Sequence, residues 1–274
     1  MMSGHIAISI IGGIGFGLAA IGSYLGFRQH VKWAGSLLRV AALVAIAVGA
    51  AHLLRAVAGL GAVGALQNDF SAAVLLAGLI GLVGLGTHFS ASLKGLDGFL
   101  FLVAAAVSFT GAATTNAPRA DMTHRPWFIS HALAFSLSAT FFIAGGVAGV
   151  AYLLVNRMLR RKRGTSLVGS VAPLESLERF GRWMPLLGFP LFTYGILTGL
   201  YGVAHRPDLS HTAWYLDLTF LLSAVAWAVY AYLCAASLRG PHIRGRRAAV
   251  LSTYGLGLIV VVFFVREFSS RLHQ

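Results

Sequence analysis

Eight long apolar stretches alternate with short polar segments along the whole chain. They cover residues 6–27, 36–60, 70–92, 96–115, 128–155, 184–204, 213–236 and 248–267. A bilayer core of about 30 Å takes roughly 20 helical residues to cross, so each stretch is long enough to span it. The stretches are too continuous for the strands of a barrel, and open strands cannot exist in lipid. The pattern predicts an all-α, polytopic membrane bundle of about eight transmembrane helices.

The charges between the stretches predict the orientation of the bundle. The 274-residue chain is 57% hydrophobic and 11% charged, and its formal net charge is +13. Of the 21 Lys and Arg residues, 15 fall in segments that share one side. Such an excess is typical of cytoplasmic loops, so both termini are expected on the outer, extracytoplasmic side. The basic runs 157–163 and 239–247 then lie against anionic lipid, and no aromatic residues interleave with them as in a nucleic-acid site.

The organisation that follows is one integral membrane domain over residues 1–274. Residues 1–155 hold five spans, residues 156–183 a cytoplasmic loop, and residues 184–274 three spans. Within the loop, the segment from Pro173 predicts a short amphipathic helix at the membrane interface. A single cysteine excludes an internal disulfide, and the chain has no motif for thiol redox chemistry or covalent haem attachment.

Histidines are the candidate functional residues, since seven of the ten fall on the predicted outer side. His52 lies within the second apolar stretch, where an imidazole needs a partner, so it is expected to face the bundle interior. A structural hydrogen bond explains it as well as a ligand does. His131 lies about 7 Å along a helix that begins at Pro126. The remaining outer histidines, His5, His124, His205 and His211, are expected to be solvated.

The outer side also carries the parts of a haem site. Two neutral imidazoles from separate elements can take both axial positions of one haem iron, as His131 and His273 would. Arginines can hold the propionates and tryptophans can cover the ring. The candidates for these two roles are Arg125, Arg266, Arg271, Trp127 and Trp214.

Several segments of the second half follow the order of one known family. They are Gly188-Phe-Pro-Leu with Gly195 and Thr198-Gly199, then Trp227-Ala-Val-Tyr230-Ala-Tyr-Leu233, Gly245-Arg-Arg-Ala-Ala249 and Leu272-His273. In these segments the chain resembles the CcsA/HemX-like cytochrome c assembly family, most clearly over residues 128–274. The resemblance implies a multi-pass protein of the bacterial cytoplasmic membrane. It also implies partners: haem, apocytochrome c and other cytochrome c maturation proteins.

The resemblance further implies haem b, bound non-covalently with His131 and His273 as ligands. His52 corresponds to a histidine that the family carries in its second span. Between the two ligands the family carries a tryptophan-rich loop, of which Trp214 and Asp217 persist here. The loop is degenerate elsewhere. Leu216 replaces a tryptophan, Leu218-Thr-Phe220 replaces Pro-Lys-Glu, and Ser210-His211 replaces Trp-Gly.

Three functions stay open at this point. The first is a cytochrome c biogenesis factor that binds or handles haem at the outer face, as a component of a haem-attachment system; whether it is itself an enzyme stays open, with a non-enzymatic role favoured. The second is a regulatory or structural protein of haem synthesis or assembly that binds no haem, which the degenerate loop favours. The third is a secondary transporter, although the sequence shows neither an inverted repeat nor a charge near a span centre.

Overall fold

The computed structural model describes residues 2–29, 33–111, 126–161, 172–205, 218–238 and 245–272. These residues form α-helices and one short 3-10 helix, Ala91–Leu93, and contain no strand. The α-helices are α1 (Met2–Gln29), α2 (Ala34–Gln67), α3 (Asp69–His88), α4 (Leu96–Gly111), α5 (Pro126–Arg160), α6 (Leu174–Ala204), α7 (Leu218–Leu238) and α8 (Arg246–Leu272). The predicted all-α class is confirmed.

Six of these helices are long and apolar enough to cross a bilayer, as judged over the described ranges. They are Gly4–Gly26, Ala34–Gln67, Asp69–His88, Trp127–Arg160, Leu174–Ala204 and Leu218–Leu238. Helix α4 is apolar but shorter. The chain is therefore a multi-pass membrane protein, whereas the count of eight spans and the outer position of both termini stay predictions.

Helices α2 and α3 meet almost without a loop. Gly61 interrupts α2 with φ 72° and ψ 166°, directly after the predicted end of the second span at residue 60. This backbone conformation is open to glycine because a Cβ would be strained there. Asn68 then caps α3, since its side-chain oxygen accepts a hydrogen bond from the Phe70 N–H at 2.9 Å. The turn between the two spans is thus a single residue long.

The loop predicted over residues 156–183 is much shorter in the structure. Helix α5 continues to Arg160, and α6 already begins at Leu174, after Pro173. The predicted amphipathic segment is helical, but it forms the first turns of α6 instead of a separate helix. Pro185 and Pro190 do not end this helix, because membrane helices tolerate proline where other groups satisfy the freed backbone.

Contacts divide the chain into two compact units. Unit 1 comprises residues 1–125 and 154–177, and unit 2 comprises residues 126–153 and 178–274. In unit 1, α1 packs on α2 and α4, and α3 packs on α4. A Cβ added to Gly22 of α1 would lie 2.9 Å from the Ala34 carbonyl oxygen of α2. Glycines four residues apart, such as Gly22 and Gly26, are typical of helices that approach closely in a membrane.

Unit 2 has an aromatic core. Phe142 of α5 stacks on Tyr230 of α7, with ring centroids 3.5 Å apart and planes 9° apart. Phe192, Ala226 and Leu233 complete the buried cluster. The prediction that both units belong to one integral domain stays a prediction.

Candidate functional site

His131 of α5 is held by α6 through one ring nitrogen. Its Nδ1 lies 2.9 Å from the carbonyl oxygen of Gly195. A carbonyl oxygen can only accept, so Nδ1 carries the hydrogen and donates it. In the neutral ring, Nε2 then bears the lone pair. Metal-binding histidines are commonly oriented in this way, with the second ring nitrogen donating to a backbone carbonyl.

Glycines of α6 make room for the rings of α5. A Cβ on Gly199 would lie 3.0 Å from His131 Cε1, and a Cβ on Gly195 would lie 2.7 Å from Phe135 Cδ2. A Cβ on Gly202 would overlap the Trp127 ring. The three rings are four residues apart on one face of α5, and the glycines form the surface against which they pack. The family segment with Gly195 and Gly199 therefore positions His131.

Thr198 adds a second polar contact beside the imidazole. Its Oγ1 lies 3.3 Å from His131 Nδ1. The same hydroxyl is 2.9 Å from the carbonyl oxygens of both Tyr194 and Gly195, to which it can donate. The backbone turn that holds the imidazole is thereby tied to the Thr198 side chain.

Aromatic rings surround His131 on the α5 side. The centroid of the Phe135 ring lies 4.8 Å from that of His131, and those of Phe128 and Trp127 lie 6.1 Å and 6.5 Å away. Tyr201 of α6 extends this surface, 6.3 Å from Trp127. Broad apolar rings of this kind are suited to contact a flat, largely apolar cofactor.

His205 lies at the end of the same helix. It is exposed, as the sequence predicted, and its ring packs on Tyr201 with centroids 4.1 Å apart. Its Nδ1 lies 2.9 Å from the Tyr201 carbonyl oxygen, so this nitrogen is also the donor.

His52 belongs to unit 1, and its imidazole has the hydrogen-bond partner that a polar ring inside a membrane span requires. Its Nε2 lies 3.2 Å from the Ser71 hydroxyl of α3, and its ring packs edge-on against Phe70 at 4.8 Å. The expectation that His52 faces the bundle interior is confirmed, and the structural hydrogen bond is present. Its role as a haem ligand stays a prediction.

The expectation that His5 is a solvated tail residue is wrong. His5 is half-buried, with its ring 4.6 Å from Phe70 and 5.7 Å from His52. The reason is that α1 begins at Met2, so His5 lies in the first turn of a packed helix.

Sequence reasoning missed a buried carboxylate in unit 1. Asp97 is 4% exposed, and its Oδ1 accepts hydrogen bonds from the Ser23 hydroxyl at 2.8 Å and the Gly98 N–H at 3.0 Å. Its Oδ2 lies 2.9 Å from His88 Nδ1. The sequence did contain a signal for this network, since His88 and Asp97 are polar residues inside two predicted spans. This network joins α1, α3 and α4.

The other predicted haem-site residues, Arg125, Trp214, Asp217 and His273, lie outside the described residues. Within the described ranges, no three His, Cys, Asp or Glu side chains gather as they would around a metal ion. A haem iron needs at most two axial ligands from the protein, so a cluster of three such side chains is not required for haem binding.

A family model described as "Cytochrome C assembly protein" matches residues 71–273. The chain belongs to the cytochrome c assembly family. No curated protein and no solved structure matches it. The resemblance read from the sequence is thereby confirmed, and the matched range includes His131, the glycines of α6 and His273. A role in cytochrome c biogenesis follows from the family for this multi-pass membrane protein.

Proposed function

We propose that this cytochrome c assembly protein binds haem b non-covalently at its outer face, with Nε2 of His131 as one axial ligand. One observation carries the proposal, namely the hydrogen bond from Nδ1 to the Gly195 carbonyl oxygen. It orients the ring, selects the tautomer with the lone pair on Nε2 and raises the basicity of that nitrogen.

The aromatic surface beside His131 supports the same proposal. Trp127, Phe128, Phe135 and Tyr201 give a porphyrin face apolar contact. This surface lies on α5 and α6, outside the tryptophan-rich loop. It offers part of the ring contact that the degenerate loop has lost.

The second axial ligand in this proposal is His273, near the end of the family match. Trp214 and Asp217 of the loop, with Arg125 before α5, complete the cofactor contacts as the family resemblance implies. The family resemblance also implies His52 as a ligand, but the proposal gives its imidazole a structural role in unit 1, where it is hydrogen-bonded to Ser71.

The biological role is to hold haem in position for apocytochrome c, together with other maturation proteins of the bacterial cytoplasmic membrane. His131 and His273 would hold the haem iron between them and would limit its reaction with oxygen. The protein supplies binding and orientation, and the chemistry belongs to the cofactor.

The test is the absorption spectrum of the protein purified in detergent from haem-replete cells. A Soret band and the sharp reduced bands of low-spin haem are expected from the unaltered chain. His131→Ala should reduce haem occupancy at least tenfold, and added imidazole should restore part of it by replacing the lost ligand. His242→Ala, in a loop predicted on the opposite side, is the matched control and should leave the spectrum unchanged. Absence of any Soret band from the unaltered protein would overturn the proposal.

A further inference from the structure

A line of rings leads away from His131 along the contact between α5 and α6. The centroid of the His131 ring lies 6.5 Å from that of Trp127, and the Trp127 centroid lies 6.3 Å from that of Tyr201. The Tyr201 ring in turn packs on His205, with centroids 4.1 Å apart and planes 33° apart. The line therefore begins with one imidazole and ends with another, and two large aromatic rings lie between them.

This line runs towards the predicted outer ends of both helices. Trp127 precedes His131 by four residues, so it lies about 6 Å closer to the start of α5 at roughly 1.5 Å per residue. On α6, His131 packs against Gly199, and His205 follows Gly199 by six residues, or about 9 Å. Helix α6 ends at Ala204, directly before His205. His205 thus lies well outward of His131, where α6 ends.

The inward side of His131 is apolar. The Phe135 ring adjoins the imidazole there and packs edge-on against Phe192, with centroids 5.3 Å apart. Phe192 is 3% exposed and belongs to the buried cluster of unit 2. A carboxylate placed among these rings would lose its hydration without gaining a partner, at a large cost in free energy. The polar edge of an amphiphilic ligand at His131 is therefore expected to point outward.

Two contacts hold the ring of His205, although the residue is exposed. Its Nδ1 donates to the Tyr201 carbonyl oxygen at 2.9 Å, and the ring packs on the Tyr201 side chain. A second proton on the imidazole goes to Nε2, which makes the ring a cation with two N–H donors. In that form it can give a charge-assisted hydrogen bond to a carboxylate.

Haem is amphiphilic in the sense that the line of rings requires. Its macrocycle is largely apolar, and its two propionate carboxylates lie on one edge. The rings of Trp127 and Tyr201 offer contact to the macrocycle, and the polar ring beyond them along the line is His205. His205 thus joins the arginines that the sequence suggested for the propionates.

We infer that His205 is a positioning residue for haem, and that its protonated imidazole pairs with one propionate. This inference rests on the proposed binding of haem at His131. His131 holds the iron and His205 holds the propionate edge, so the two contacts determine which edge of the macrocycle faces outward. His205 is not an axial ligand in this arrangement, because it lies about 9 Å farther along α6 than the glycine that packs on His131.

Titration of the haem-free protein with haem b and with haem b dimethyl ester tests the inference. The ester keeps the iron and the macrocycle but has no carboxylate. The unaltered protein should bind haem b more tightly than the ester. His205→Ala should weaken haem b binding about two- to fivefold, the effect of an exposed ion pair, and should leave ester binding unchanged. Unchanged ester binding also shows that the variant is folded.

A charge series at the same position separates a propionate contact from packing. His205→Arg keeps a cation and should bind haem b at least as tightly as the unaltered chain, whereas His205→Glu should bind it more weakly than His205→Ala does. This order should disappear with the ester. The Soret maximum of the saturated protein should be the same in all variants, because the axial ligands do not change. His242→Ala is the control and should bind both compounds as the unaltered chain does.

Two different failures can be told apart. If His205→Ala loses haem b and ester equally, or loses neither, the inference is overturned and the haem site at His131 stands. If the unaltered protein binds neither compound, the proposed function is overturned, and this inference with it.

Discussion

His131 in unit 2 and His52 in unit 1 are both imidazoles inside membrane helices, but they are held in different ways. The partner of His131 is a carbonyl oxygen, which only accepts, so the tautomer of the ring is determined. The partner of His52 is the Ser71 hydroxyl, which can donate or accept, so that bond is compatible with either tautomer. The chemical nature of the partner, more than burial, prepares a histidine to be a ligand.

The side chains around the His131 and His52 rings also differ. Glycines on α6 and aromatic rings on α5 pack against His131, whose Nδ1 donates to the Gly195 carbonyl oxygen. His52 lies instead beside His5 of α1 and Phe70 and Ser71 of α3, where three helices meet. We expect unit 2 to carry the cofactor and the hydrogen bonds around His52 to stabilise unit 1.

The largest expected effect comes from replacing each histidine in turn. His131→Ala should abolish most haem binding, whereas His52→Ala should keep the haem and lower the free energy of unfolding by about 1–3 kcal/mol, since it leaves Ser71 unpaired. Haem content per protein and thermal unfolding in detergent measure the two effects. Loss of the Soret band from a folded His52→Ala protein would instead assign His52 as an axial ligand. It would contradict the proposed difference between His131 and His52.

Overpacking the contact between α5 and α6 should have the next largest effect. In Gly202→Ala the new methyl group overlaps the Trp127 ring, so the helices must separate, at a cost of about 1–3 kcal/mol. The midpoint of thermal unfolding and the haem content should both fall. Gly86→Ala, with open space around its Cβ, should change neither, and a matching loss there would show that the effect belongs to any glycine in the bundle.

Removing the partner of His52 should have a smaller effect. Ser71→Ala leaves the imidazole without this hydrogen bond and should lower the free energy of unfolding by about 1 kcal/mol. The haem spectrum should be unchanged, because the site proposed for haem lies in unit 2. Ser92→Ala, at an exposed position, is the control and should be neutral. A shifted spectrum in Ser71→Ala alone would indicate that unit 1 also contacts the haem.

The smallest effect is expected at Thr198. Its hydroxyl lies 3.3 Å from Nδ1 of His131, longer than the bond to Gly195. Thr198→Val keeps the shape of the side chain and the Gly195 carbonyl, so haem affinity should fall only about two- to fivefold, less than one full hydrogen bond. Haem transfer to apomyoglobin measures this affinity. A loss as large as that of His131→Ala would mean that Thr198, and not Gly195, orients the ring.

The apolar pattern was sufficient to predict the helical class and most helix positions. It failed at α6, because the polar residues before the span at 184–204 suggested a boundary that the structure does not have. It also left His5 outside the bundle, because a residue so near the start of the chain has too few neighbours in sequence to show a helical period.

The histidine site was only partly predictable. The four-residue spacing of Gly195 and Gly199 is typical of two helices in close approach, but it does not reveal that a ring and not a backbone fills the space. The bond between His131 and Gly195 joins residues 64 positions apart. Its acceptor is a backbone carbonyl, which every residue carries, so no residue type marks it in the sequence. For the same reason the Ser71 partner of His52 could be expected only as some polar group.

The central claim is that Nε2 of His131 binds haem iron. Pulsed electron paramagnetic resonance of the ferric protein, labelled with ¹⁵N-histidine, tests it most directly. We predict two strongly coupled ¹⁵N nuclei in the unaltered protein. In His131→Ala loaded with unlabelled imidazole, one of them should be replaced by a ¹⁴N coupling. Two ¹⁵N couplings that persist in His131→Ala would contradict the account.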